Sequence, residues 1–509
     1  MNKDKELRGQ SDMTCSDSRL PNELAGLLPM ENKIQAYNWG SKDGLTIYAG
    51  VKTEADKPAA EYWMGAHPVA PSLVKMGNGQ KIPLDVFIHA HPVEALGQDI
   101  SQRFGELPFL FKALSAAKPL SIQVHPSKEK ARAGFEEENA RRVPLDSPER
   151  NYKDPNHKPE LAVALSEFWA LCGFRPACET RALLGSSLCA LLNFPFETED
   201  ETGGNSDNDT GNTASLYVPL LQRLLTLPID LRADLETLAV KRANYILENG
   251  IVNYDNKRAA KRGLGVPSQA ARDAAHAVLY CFREYPKDPG AVAPFFLSLL
   301  HLMPGQGLYI PSGMLHSYLK GTIIELMAAS DNVIRGGMTS KKIDIDQLFN
   351  VLEPEAKPVL VAPESISAMP GVVENTEVTR NSESWPVPAQ EFALTRIEIG
   401  GETSKPKESE TFGAINLELP GPKILFCTSG EAHLACLSGK FSINNYKEAT
   451  YSEKIRAGES VFAADTCRRI VIKGASCIYI ASVAIQNSVP GKNAVQDASV
   501  LTADIARSK

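Results

Sequence analysis

Apolar residues change their spacing twice along this 509-residue chain, and that change limits the folds open to it. Up to about Ala177, short apolar runs are broken by Gly and Pro. Residues 108–115 (PFLFKALS) read as a buried strand, and 119–126 (PLSIQVHP) alternate as a half-buried strand does. From about Glu179 the spacing becomes helical over 180–192, 215–225, 231–247 and 267–285, and 290–302 reads as an extension of that set. Within it, 197–214 is acidic, Gly-rich and almost free of apolar side chains, which predicts a disordered surface loop. Strand-like runs return at 307–310, 316–319 and 322–327. They recur from Phe392, at 392–399, 423–428, 432–438, 460–462, 469–472 and 477–482.

The pattern predicts a mainly β protein with a helical insert and a small all-β region at the C-terminus. Expected boundaries are a polar tail over 1–28, a β domain over 29–177 resumed at 289–362, and the insert at 178–288 between them. A Ser-, Glu- and Pro-rich linker over 363–390 follows, then the second β domain over 391–487 and a tail over 488–509. The net charge of −7 argues against general nucleic-acid binding, though a local basic pocket could still take an anion. The N-terminus has no apolar core of a secretory signal, and no run of eighteen apolar residues predicts a membrane span. The nine cysteines are scattered without a CxxC pair, as in the reduced core of a cytoplasmic protein.

On a strand over 119–126, Ser121, Gln123 and His125 share one face, while Leu120, Ile122 and Val124 pack on the other. Three polar side chains on one face of an apolar strand need partners if buried, and a metal with a polar ligand would supply them. Alone, His125 would be a packed core histidine. Gly305-x5-Pro311-x-Gly313-x2-His316 alters that balance, since it resembles the second motif of the cupin superfamily, whose histidine binds metal. Gln123-x-His125 with a distant Glu160 resembles the first cupin motif in altered form.

Two stretches make the resemblance specific. Residues 152–160 (YKDPNHKPE) match in full a signature of the type I phosphomannose isomerases. From His316 through Gly321, Glu325, Ser330, Asp331, Asn332, Arg335, Gly337 and Thr339 to Lys341, the chain resembles that family's second signature. Ser317, Gly336 and Ser340 depart from it without removing a charged group. The segments 37–40 and 60–68 also look like the family's.

The resemblance implies a cupin jelly-roll catalytic domain, an inserted helical domain and a degenerate cupin-like C-terminal domain. It implies one zinc held by Gln123, His125, Glu160 and His316, although this donor set would also suit Mn, Fe(II) or Co. It implies a monomer that interconverts mannose 6-phosphate and fructose 6-phosphate through an enediol and feeds GDP-mannose synthesis. Candidates for binding the sugar phosphate are Ser121, Lys112 and Lys158; the last shares a face with Glu160 if that segment is extended. Arg335 resembles the family's active-site arginine and Lys341 another active-site residue. Glu325 is one candidate for the base and a hydroxide on the metal another. His157 is expected to be structural, and His67, His89, His91, His276, His301 and His433 are not expected to be ligands. A cupin Fe(II) oxygenase and a non-catalytic sugar-phosphate binder are the competing readings. The lack of His-x-His weighs against the first, and Arg335 with Lys341 against the second.

Overall fold

The long strand His316–Ala328 changes partners halfway along its length, and much of the first β unit follows from that. In the computed structural model of the chain, its second half runs between Phe109–Ala116 and Glu160–Ala164, with Glu325 opposite both Lys112 and Ala162. Its first half runs between Ile122–Val124 and Phe168–Phe174, with His316 opposite Gln123 and Cys172. The strand must bend to do this, and Gly321 allows it. Its φ is +115°, and a Cβ there would stand 2.3 Å from the Glu167 carbonyl oxygen. The structure describes residues 26–196, 213–251, 268–366, 372–374, 379–400, 414–437, 449–484 and 496–497.

Alternation along each strand then decides which side chains face inward. Phe109, Phe111, Ala113, Ile324 and Leu326 pack outward, against Phe426, Phe462 and Tyr479 of a second β unit. Leu114 and Ile323 pack inside the first unit, so Lys112 and Glu325, each two residues away, share that inner face. Ile122 and Val124 lie in a core shared with the helices, which turns Gln123 the other way. Those helices are Ala177–Leu192, Thr213–Leu225, Ile229–Asn249 and Ser268–Glu284. Their apolar stripes also cover Leu315, Leu319 and Ile334, so these helices form a wall behind three strands of the first unit, Ile122–Val124, His316–Ala328 and Ile334–Gly337.

The chain is mainly β, with two antiparallel sheets of twelve strands each among the described residues. The second is centred on Lys423–Leu437 against Arg469–Ser482. Leu27–Glu31 joins that sheet beside Ser460–Ala463, and the segment 363–390 adds Glu364–Ser365 and Thr379–Ser384 to it.

Two sequence expectations need correction. Residues 290–302 do not extend the helices: a 3₁₀ turn over Pro289–Phe295 leads into the strand Leu297–Leu302, paired with Phe168–Phe174. Pro289 and Pro294 both lack the N–H that a regular α-helical ladder needs. The paired short strands expected at 316–327, 423–438 and 469–482 are each one continuous strand, because Gly321, Gly430 and Gly474 bend the chain without ending it. Of the loop expected at 197–214, residues 197–212 lie outside the described residues, and Thr213 opens a helix. The eight described cysteines are free thiols, and among the described residues no helix is long and apolar enough to cross a membrane.

Candidate metal centre and active site

Three buried side chains meet inside the first β unit, Glu160 and His316 from separate strands and His125 from the residue that follows Ile122–Val124. His125, Glu160 and His316 each offer a ligand atom, and those atoms lie within 4.8 Å of one another. His125 Nε2 is 3.2 Å from Glu160 Oε1, and His316 Nε2 is 3.5 Å from Glu160 Oε2. Both imidazoles are fixed from behind. His125 Nδ1 lies 2.7 Å from the Asn332 carbonyl oxygen, and His316 Nδ1 lies 2.9 Å from that of Met314. A carbonyl oxygen can only accept, so each Nδ1 carries the proton and each Nε2 presents a lone pair. Two lone pairs turned on a carboxylate repel it unless a cation lies between them. His125 Nε2, buried with no hydrogen-bond partner, fits that requirement. Gln123 stands beside this group, its amide nitrogen 3.3 Å from His316 Nε2; rotating the amide by half a turn would put its oxygen there. Two imidazole nitrogens, a carboxylate and an amide oxygen are donors that zinc accepts.

Charge inside the site is tightly paired. Lys158 Nζ is 2.9 Å from Glu160 Oε1. Burial would raise the Glu160 carboxyl, but Lys158 and His125 overcome it and hold the group well below the usual carboxylate range. Burial, then Lys158, lower the His125 imidazole to about 4, so it is neutral as a ligand must be. Lys112 Nζ is 3.0 Å from Glu325 Oε2 and 3.7 Å from Glu61 Oε2, and lies 5.2 Å from the centre of the Trp63 ring. Burial opposes the charge on Lys112, but the Glu61 and Glu325 carboxylates raise its pKa. Burial leaves Glu325 raised despite Lys112. Tyr318, buried with its hydroxyl 3.4 Å from Glu160 Oε2, stands beside the cluster.

Much of the surrounding polar sequence is scaffolding. Asn332, fully buried, donates from Nδ2 to the carbonyls of Asp154 and Asn156, at 2.7 and 2.8 Å, and accepts from the Lys153 N–H at 2.7 Å. Ser330 Oγ and the Asp331 N–H donate to the Asp154 carboxylate at 2.8 and 2.7 Å. This stitching holds the carbonyl that orients His125.

The family model for the phosphomannose isomerase type I catalytic domain matches residues 27–177. The mannose-6-phosphate isomerase of Escherichia coli K12 is 33% identical over 447 residues, covering 87% of this chain and 96% of that protein. The Salmonella typhimurium enzyme is 36% identical over 410 residues, covering 79% and 89%. The chain belongs to the type I phosphomannose isomerase family. A crystal structure of the Salmonella typhimurium isomerase bound to fructose 6-phosphate and zinc superposes with a TM-score of 0.68 at 29% identity, covering 90% of this chain and all of that one. A zinc-bound holo structure of a mannose 6-phosphate isomerase gives 0.65 at the same identity.

In this phosphomannose isomerase chain, the remaining candidates sit around the cluster in different ways. Arg335 lies opposite Gln123 in the ladder and is half-buried. Burial lowers its pKa, and among the described residues no carboxylate pairs with it. Ser121, half-buried, is two residues from Gln123 on the same face. Lys341 is exposed, and partial desolvation of its amine, then Arg335 and Lys153, lower its pKa. Among the described residues the metal-capable group contains no histidine besides His125 and His316; His67 pairs with Asp331 at 3.2 Å and packs on Trp63, and His301 stacks on Trp169 at 4.0 Å. Sequence reasoning missed Glu61, Trp63, Tyr318 and Asn332. Glu61 and Trp63 had a local signal, since alternation in the strand Glu61–Met64 puts them on one face.

Proposed function

We propose that this chain is a zinc-dependent aldose–ketose isomerase interconverting mannose 6-phosphate and fructose 6-phosphate through an enediol. The observation that carries the reading is the pair of buried Nε2 lone pairs turned on one carboxylate, with a guanidinium across the ladder from Gln123. In this reading Gln123, His125, Glu160 and His316 hold the ion. When bound, zinc supplies a Lewis acid for the carbonyl and hydroxyl oxygens of the open sugar. The first β unit is read as a cupin barrel and the second as a degenerate one. The chain is taken to act as a cytoplasmic monomer that supplies GDP-mannose synthesis.

The chain's own groups then divide the work. Lys112 and Lys158 are already engaged by carboxylates, at 3.0 and 2.9 Å, so binding phosphate would cost each an ion pair. Ser121 with Lys341 is therefore the better phosphate seat, and Lys112 and Lys158 hold Glu325 and Glu160 in place. Arg335 stabilises negative charge developing on the substrate oxygens. Glu325 takes the proton from C2 while the C1 carbonyl oxygen takes one from solvent, giving the enediol. Glu325 returns its proton to C1 while the C2 hydroxyl gives its own back to solvent, giving the ketose with no net proton gained or lost. Burial raises the Glu325 pKa, which suits a carboxylate that must hold a proton between the two steps.

The test is a coupled assay on the purified chain, run before chelation, after it, and after zinc is restored. Conversion should vanish and return. Turnover that survives exhaustive chelation would sink the reading, as would none with zinc restored.

A further inference from the structure

The turn that delivers Lys158 and Glu160 to the site is anchored on two sides. One anchor is the web of Asp154, Asn156 and Asn332 within the first β unit. The other comes from far along the chain: His157 Nε2 lies 2.7 Å from Glu391 Oε1, across 234 positions. Glu391 is 8% exposed and precedes Phe392, which is fully buried in the core between the two β units. Its second oxygen accepts the Gln390 N–H at 3.1 Å. A carboxylate so deeply placed is costly unless partnered, and its side-chain partner here is the imidazole of the 152–160 turn.

We propose that Glu391 is a positioning residue for the active site, and that the second β unit thereby completes the site. By accepting the His157 Nε2–H, Glu391 fixes that ring, and so fixes the turn on which Lys158 Nζ meets Glu160 Oε1 at 2.9 Å. Its charge keeps the acceptor in place, since burial alone would favour protonation and His157 counters it. Glu391 touches neither substrate nor a ligand; it acts through His157 and the turn that carries Glu160, and so governs rate by geometry. The proposal rests on the isomerase reading above.

The experiment compares zinc-loaded, full-length wild type with Glu391→Ala, Glu391→Gln and Glu391→Asp. It reads kcat, KM, zinc per chain and Tm. Glu391→Ala should lower kcat about tenfold, no more than the smallest loss seen for a group bonded directly to a ligand, with KM, zinc content and Tm near wild type. Glu391→Gln keeps an acceptor for the same hydrogen and should recover most of the lost kcat. Glu391→Asp draws the carboxylate back by one methylene and should fall between. The proposal is overturned by a wild-type kcat in Glu391→Ala, by a loss as deep in Glu391→Gln, or by a loss that tracks falling zinc content or Tm. A wild type without turnover overturns the isomerase reading itself. Turnover in wild type that is unchanged in Glu391→Ala overturns this proposal alone.

Discussion

A histidine that gives its Nδ1 proton to a backbone carbonyl has one nitrogen left for a cation. His125 and His316 are both in that position, and the carbonyls responsible belong to Asn332 and Met314. His316→Ala should therefore leave the purified chain without stoichiometric zinc, measured by elemental analysis. Asn332→Ala touches no donor atom, yet should weaken zinc affinity by roughly 10- to 100-fold in a competition titration, because it loosens the turn that orients His125. Arg335→Ala should keep its zinc and lose about 100-fold or more in kcat, the scale of removing a group that meets developing charge. A wild-type kcat in that variant would refute the role given to Arg335. The face shared by Ser121, Gln123 and His125 was legible, because a two-residue period is written in neighbouring residues. The grip of Glu61 and Glu325 on Lys112 was not, because it depends on which residues face each other across three strands. Nor could the sequence single out Asn332 as the source of the carbonyl behind His125.

Among elements, the four long helices between the two parts of the first β unit were the most legible, whereas the helix Lys128–Ala140 was not foreseen. Each carries a stripe long enough to repeat several times, and the four expected spans differ from the observed ones by a few residues at their ends. Strands were less so, since glycine reads as a break in a short window and here marks a bend. Gly321 shows what that bend is for. It lets one strand present His316 in one layer and Glu325 in the other. Gly321→Val meets the Glu167 carbonyl at a backbone angle that valine rarely adopts, and should cost about 3 kcal/mol or more of stability. If the variant still folds, its zinc content should fall too, because the two ends of the strand no longer share the same site. Thermal unfolding with metal analysis on the surviving fraction checks both.

At the scale of the whole molecule, metal and burial set stability together. Zinc that binds the folded state alone should raise Tm. Stripping it should remove about 4 kcal/mol at metal concentrations near 1,000 times Kd. The second β unit adds a pH dependence of its own. Lys423 is fully buried, its Nζ 2.7 Å from the Leu419 carbonyl oxygen, and burial lowers its pKa to about 8 from the ordinary 10.5. Between those two values the unfolded chain holds the proton and the folded one releases it, so this group's contribution to stability rises with pH across that window. Relative to Lys423→Met, the wild type should gain on the order of 3 kcal/mol from pH 8 to 10.5 in denaturant titrations. An unchanging difference between the two proteins would show that Lys423 keeps its ordinary pKa.

The pairing of Leu27–Glu31 with Ser460–Ala463 has a consequence for how such a chain is made. During synthesis this strand finds Leu73–Lys75 for one edge early, but leaves the ribosome hundreds of residues before the neighbour for its other edge exists. That second edge must wait open while the intervening β and helical segments emerge, exposed to any other nascent edge. Assembly of this molecule is thus gated by its last third, and premature termination there would release a product with an open sheet at its very beginning.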